Sequence, residues 1–440
     1  MVYQELTGPL DLHTPKLLQT YLNTYLSSDL AEIDLHDAEI SSLDEVEFPP
    51  SLTKLNLSEN KIVSIKDVRF PPNLKNLDLS ENKIPSVLDV TFPLSLTKLN
   101  LYRNPITSLQ GMVFPAGLTE FALFDTPLSS LSGVKFPSSL IILSLGINKI
   151  SSLDGVKFPP ELKELYLNQN EITSLDGVEF PSSLIRLNLT INKITSLDGV
   201  KFPQNINELS LYNNKITSLS GVEFPPNEPL LNFSKNRIIS IKGFAFPPNI
   251  TTINFDNNKI TSLEGITFPP TVEIINFDNN KITSLRNVKF SSNVKRISFE
   301  NNQMTSLHGI HLPINVRTLN LNNNKITSLT GIEFPTNLSQ LIVNNNQIIS
   351  LESVEFPSNL YSIELGNNKI NSLVGVKFPD TLQKLNLTNN QITSLKGVKF
   401  PTGLIYKELN GNPFLTSLPP PPRVSKKKKK YTKKSQNNTK

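Results

Sequence analysis

The chain has 440 residues, with no cysteine and no tryptophan. The missing thiols exclude disulfide staples, thiolate metal sites and cysteine nucleophiles. The formal charge of +5 conceals two signs: nine basic residues follow Pro422, and without them 34 basic residues face 38 acidic ones, a net of −4.

The opening segment "MVYQELTGPLDLHTPKLLQTYL" lacks a basic start followed by an apolar core, so it does not read as a signal peptide. No apolar run approaches the roughly 20 residues of a membrane span. An intracellular, reducing location is the expectation. Thr14-Pro15 followed by "KLLQTYLNTYLSS" has the form of an N-cap, a Pro at the first helical position and an amphipathic helix. Leu18, Tyr21, Leu22 and Tyr25 would form its apolar face. Residues 1–25 are thus expected to be a helical cap on the remainder of the chain.

From there the chain repeats one sentence. "FPPSLTKLNLSENKIVSIKDVR" begins at Phe48, and Phe recurs every 22 residues up to Phe400, with Leu312 as the one substitute. A degenerate unit precedes it at Leu26 and a decaying one ends the array, giving about 18 units over 26–418. Strict length points to a stack of coils, in which an insertion would disturb both neighbours. Numbering each unit from its Phe, positions 7 to 11 alternate polar and apolar, which is strand periodicity. Side chains at 8 and 10 then point inward, and those at 7, 9 and 11 outward. Asn recurs at 13, where its amide can satisfy turn groups that have no strand partner. Position 1 predicts a stacked Phe spine. Position 20 is Gly, with Asp67, Asp89, Asn287 and Ser353 as exceptions, which predicts a positive-φ turn. Pro at position 2 forbids a helix there. The convex side is expected to carry turns, short 3₁₀ pieces and extended chain.

The pattern L-x-x-L-x-L-x-x-N-x-I, seen in Leu52, Leu55, Leu57, Asn60 and Ile62, resembles the leucine-rich repeat family. The 22-residue length with an apolar-Pro-Pro start is similar to short-repeat classes in bacterial internalins and secreted effectors, and to arrays of giant viruses and amoebae. The resemblance implies a horseshoe with one continuous parallel sheet on its concave face. It also implies that this face holds a protein partner, as in a non-catalytic scaffold or adaptor.

Little in the chain points to catalysis. His13, His36, His308 and His311 have no metal-ligand spacing backed by other ligands. No nucleophile-elbow or glycine-rich phosphate motif occurs. Asp256, Asn257, Asp278 and Asn279 offer oxygens without a dedicated ligand loop and read as a solvated polar face. No enzyme, cofactor or metal is expected, and the solenoid is expected to be a monomer.

The concave slots are positions 7, 9, 11 and 12. Over the first 17 units they hold 7 basic and 14 acidic residues, a face that repels a phosphate backbone. From the fourth to the ninth unit they carry Tyr102, Arg103, Phe124, Asp125, Ile142, Ile147, Tyr166, Ile191 and Tyr212. Elsewhere these slots read as Asn, Asp, Ser, Thr and Lys. Exposed aromatics among charges have the composition of an interface centre. The expected partner-binding residues are Tyr102, Arg103, Phe124, Asp125, Ile142, Ile147, Tyr166 and Tyr212.

A second stripe lies at position 14: Lys61, Lys83, Lys149, Lys193, Lys215, Arg237, Lys259, Lys281, Lys325 and Lys369. It reads as a solvated edge, with nucleic-acid or other polyanion binding as the alternative. The tail, residues 419–440, is Pro-rich and then polybasic, and is expected to be disordered. Its run Lys426, Lys427, Lys428, Lys429 and Lys430 reads as a nuclear import signal, a solubilising tail or a weak anchor for polyanions.

Overall fold

The computed structural model describes residues 12–27 and 29–416. Helix α1 (Pro15–Tyr25) opens the fold. Thr14 caps it in extended conformation, its hydroxyl accepting from Leu17 N at 3.3 Å, and Pro15 occupies the first turn. Leu18, Tyr21 and Leu22 are buried. The segment is tied to the first coil: Leu12 N donates to Ala38 O, and Gln19 exchanges two hydrogen bonds with the Glu47 backbone.

Eighteen three-residue strands succeed it among the described residues, one per coil. They are β1 (Glu32–Asp34), β2 (Lys54–Asn56), β3 (Asn76–Asp78), β4 (Lys98–Asn100), β5 (Glu120–Ala122), β6 (Ile142–Ser144), β7 (Glu164–Tyr166), β8 (Arg186–Asn188), β9 (Glu208–Ser210) and β10 (Leu230–Asn232), continuing every 22 residues to β18 (Tyr406–Glu408). Each strand spans positions 7 to 9. All ladders are parallel and in strict repeat register, Leu55 opposite Leu77 and Leu77 opposite Leu99. Position 8 is therefore apolar and buried in coil after coil, and the repeat cannot slip without exposing it.

The chain leaves each strand through a fixed turn. Position 12 is left-handed in every coil, from Asp37 (φ 51°) and Glu59 (φ 56°) to Asn389 (φ 52°) and Gly411 (φ 73°). That reversal brings the Asn of position 13 inside. Asn82 is representative: its Oδ1 accepts from Ile62 N at 3.0 Å, and its Nδ2 donates to Leu57 O, Leu79 O and Ser80 O at 2.9 to 3.1 Å. One buried amide thus closes its own turn and fastens the preceding coil. Position 20 has the expected positive φ, at Gly155 (68°) as at Asp67 (62°) and Asn287 (62°).

On the convex side the expected 3₁₀ pieces are replaced by single turns. Each turn has one i to i+3 bond, such as Leu52 N to Pro49 O and Val68 N to Ile65 O. The prolines remove donors that a second bond would need, and the left-handed residue at position 20 stops propagation. The Phe spine forms in stacked runs, with Phe158, Phe180 and Phe202 at centroid spacings of 6.1 and 6.3 Å. A second column stands at position 10 in coils 10 to 13, where Phe233, Phe255, Phe277 and Phe299 stack 5.2 to 5.7 Å apart.

The sheet, expected to be continuous, is interrupted once. β1 to β9 form one nine-stranded sheet and β10 to β18 another. The break coincides with two substitutions. Position 6 of coil 10 is Pro229, which has no N–H for the ladder. Position 5, apolar in nearly every unit, is the buried Glu228. Its carboxylate accepts from Leu209 N at 2.6 Å and Leu230 N at 3.3 Å, so a side chain serves backbone donors of the two bordering strands. The far end is closed differently. Position 8 of β18 is Lys407, whose Nζ lies 4.6 Å from the Phe400 ring centroid. A charge on the last strand's inward position discourages further strands from adding. The four-residue helix α2 (Pro413–Thr416) comes after it.

Candidate interaction surface

Tyr102 and Phe124 occupy position 11 of coils 4 and 5. Their rings stack with centroids 4.2 Å apart and an interplanar angle of 20°. Both are half-buried by this contact and open to the concave side. Arg103 lies 4.8 Å over the Tyr102 ring, its Nε donating to Asp125 Oδ2 at 2.7 Å and Nη1 to Glu81 Oε2 at 3.3 Å. These bonds, chiefly that to Asp125, raise the guanidinium pKa. The structure thus brings together Tyr102, Arg103, Phe124 and Asp125, and adds Glu81.

Tyr166 sits at position 9, two coils beyond Phe124 and offset toward the sheet. Its hydroxyl donates to Glu164 Oε2 at 2.8 Å. Burial is the first reason its pKa is raised, and that bond the second. Arg186 bridges Glu164 at 2.5 Å and Glu208 at 3.0 Å. Ile142 lines a shallow groove of about 380 Å³ over β2 to β6, with Asn76, Asp78, Ala122 and Ser144. Small side chains at position 9 of coils 5 and 6 make the floor of this dip. Their run, between Asn100 and Tyr166, was the signal for it in the sequence. Tyr212 is separate: four coils beyond Phe124, it faces the Lys235 ammonium at 5.2 Å.

Two features escaped the repeat pattern. Leu230 (46% exposed) and Ile274 (36%) are concave apolar residues outside the expected region. The left-handed turn at position 12 was also missed, although the recurring Asn there is its signature. Two β-branched residues, Ile147 (φ 54°) and Ile191 (φ 56°), occupy that conformation. Each is held at a backbone cost of about 1–2 kcal/mol.

The position-14 cations are exposed except for half-buried Lys215. Lys61 pairs with Glu39, and Lys193 with Glu171 at 2.8 Å. The column is thus partly neutralised by its own edge. The tail 419–440, with its lysine run 426–430, lies outside the described residues. Among the described residues no helix is long and apolar enough to cross a membrane.

A stack of 22-residue parallel coils with an asparagine ladder defines the leucine-rich repeat class. A leucine-rich repeat family model matches residues 50–106, and a BspA-type leucine-rich repeat model matches 123–234, 231–344 and 303–414. The chain belongs to the leucine-rich repeat family. Among solved structures it is similar to YopM from Yersinia enterocolitica, with 24% identity, 90% of each chain covered and a TM-score of 0.61. It is also similar to the functional domain of InlJ from Listeria monocytogenes, at 21% identity, with 83% of this chain and 74% of that one covered and a TM-score of 0.54. A third is the GASSHO1/SCHENGEN3 receptor-kinase ectodomain of Arabidopsis thaliana, solved with CASPARIAN STRIP INTEGRITY FACTOR 2. There the values are 20% identity, 87% of this chain, 50% of that chain and a TM-score of 0.53. These likenesses establish the shared fold. No protein of curated function matches the sequence.

Proposed function

We propose that this protein is a non-catalytic scaffold that holds a partner protein on its concave face. The family supports the coarse statement, since leucine-rich repeat folds generally mediate protein–protein interaction. The finer statement rests on one observation: the Tyr102–Phe124 stack is open to the concave side, with the neighbouring Arg103 already paired to Glu81 and Asp125. Two adjacent rings offer a large apolar area at low entropic cost, bordered by Arg103 and Asp125. Ile142, Ile147 and Tyr166 extend this centre, and Tyr212 stands at its far margin. The protein is read as acting inside the cell, where its lack of cysteine brings no penalty.

The test is affinity purification of the full chain from its host, beside a Phe124→Ser/Tyr166→Ser variant. Both side chains are half-buried on the concave side, and the changes leave positions 8, 10 and 13 intact. The expected result is loss of the wild-type partner, equivalent to a weakening of about a hundredfold for two interface-centre aromatics. Retention of every partner overturns the proposal.

A further inference from the structure

Position 12 is left-handed in every coil, so its side chain is chosen against a fixed backbone. From coil 9 to coil 17 it is Asn in eight of nine cases, Lys235 being the other. Asn suits this conformation because its short polar side chain bonds locally. A β-branched side chain does not, since it crowds the carbonyl next to it in the chain. Yet coils 6 and 8 carry Ile147 and Ile191, 39% and 37% exposed. The array has the compatible residue and displays two strained apolar ones to solvent instead. The coil covers part of each side chain, and more than a third of each is left open to solvent. Strain retained at an exposed position points to a use outside the chain.

We propose that Ile147 and Ile191 are the two teeth of a ridge that receives the apolar stripe of an amphipathic α-helix lying along the stack. This inference rests on the concave-face function above and names the chemistry of the partner. Coils step by about 4.8 Å, and a helix turns every 5.4 Å. Two coils, about 9.6 Å, separate the teeth, close to the roughly 10.5 Å between helix residues i and i+7. An extended strand repeats its face every 6.6–6.8 Å and falls out of step within one coil.

Charge complementarity points to the same occupant. On the strand side of the ridge, three carboxylates, Glu120, Glu164 and Glu208, face two cations, Lys98 and Arg186. On the outer side stand Lys149, Lys193 and Lys215, with Glu171 bound to Lys193. A helix with Lys or Arg along one border and Asp or Glu along the other fits between them in one rotation about its axis. From coil 4 to coil 9 the platform is about 24 Å long, room for about 16 helical residues.

The probe is a displayed library of amphipathic helices of about 16 residues, selected on the full chain. Enriched helices are then titrated against the full chain and its Ile147→Asn, Ile191→Asn and Phe124→Ser variants. Each Ile→Asn change should weaken an enriched helix about tenfold while raising Tm by about 2 °C. A gain in Tm rules out misfolding as the cause. A proline in the middle of the enriched helix should abolish binding. Helices that bind equally to the Asn variants overturn the ridge. If Phe124→Ser alone weakens them, the concave-face function survives and only the ridge is lost. If no variant matters, both are wrong for these ligands. Failure to enrich any helix overturns the helical partner and leaves the aromatic centre to its own purification test.

Discussion

The two nine-stranded halves share one scaffold and vary different parts of it. In β1 to β9 the variation is on the surface, with Tyr102, Phe124, Tyr166 and Tyr212 on the concave side and Glu59, Arg103, Ile147 and Ile191 at the left-handed turn. In β10 to β18 the turn is Asn except at Lys235 and Gly411, concave apolar residues such as Leu230 and Ile274 stand apart, and Phe233, Phe255, Phe277 and Phe299 add a second aromatic column inside. The first half departs from the best residue for the backbone where a partner would touch it. The second half keeps the best residue in all but its first and last coils and thickens its core. Function in such an array is marked less by apolar content than by departures from what the coil itself prefers.

The largest effect tests whether the scaffold is truly common to both halves. Asn148 and Asn280 are buried at position 13, each fixing backbone groups of two coils. Replacing either by Ala strands a buried N–H or hydroxyl and several carbonyls. Asn148→Ala and Asn280→Ala should each cost about 3 kcal/mol in urea unfolding of the full chain. A loss below about 1 kcal/mol at one position only would mean that the halves differ in their frame as well as in their surface.

The junction gives the next effect. Burial pushes the Glu228 carboxyl up to about 7, from an ordinary value of 4.5, against the opposing bonds from Leu209 and Leu230. The folded protein therefore holds this proton more tightly than the unfolded chain. The associated stability is present below about pH 4.5 and is lost as pH rises through 7. Relative to Glu228→Gln, the wild type should gain about 2–3 kcal/mol between pH 7.5 and pH 4.5. A parallel pH dependence of the two proteins would remove Glu228 as the titrating group. Asp278, raised to about 6 mainly by burial, adds a drift of the same sign that cancels in this comparison.

Much of the frame is legible in the sequence, because a strict repeat states the same requirement many times. Position 8 inward, Asn at 13 and positive φ at 20 each come from residues recurring at a fixed address. The sheet break is visible only as two odd letters, Glu228 and Pro229. Its consequence depends on whether the carboxylate reaches Leu209 N, and spacing does not reveal that. The candidate surface is half legible. The period says which slots face out, and so finds Tyr102 and Phe124. It does not say that Tyr166 turns to Glu164, or that Arg186 is already held by two carboxylates. Pairing between side chains, along one column or across two, depends on rotamers, which carry no repeat signal. Thr126 shows the same limit. As the substitute for Asn in coil 5 it has the look of a functional departure, yet its hydroxyl donates to Asn148 Oδ1 at 2.5 Å and serves the ladder.

The smallest expected effect bears most directly on the contrast between the halves. If the left-handed turn penalises Ile147 and Ile191, the same side chain placed in the second half must incur a comparable penalty. Asn345 is the cleanest host: it is exposed, at φ 56°, with its backbone N–H bonded to Gly366 O at 2.9 Å, as its counterparts bond in other coils. Exposure limits any gain from burying the new methyl groups, so the change reports the backbone conformation. Asn345→Ile should destabilise the chain by about 1 kcal/mol, read as a lower midpoint in urea with an unchanged slope. An unchanged midpoint would show that the turn accepts β-branched residues freely. Ile147 and Ile191 would then be ordinary surface variation, and the first half would lose its clearest mark of selection for contact. A cost of the expected size leaves their presence in coils 6 and 8 requiring a reason outside the fold.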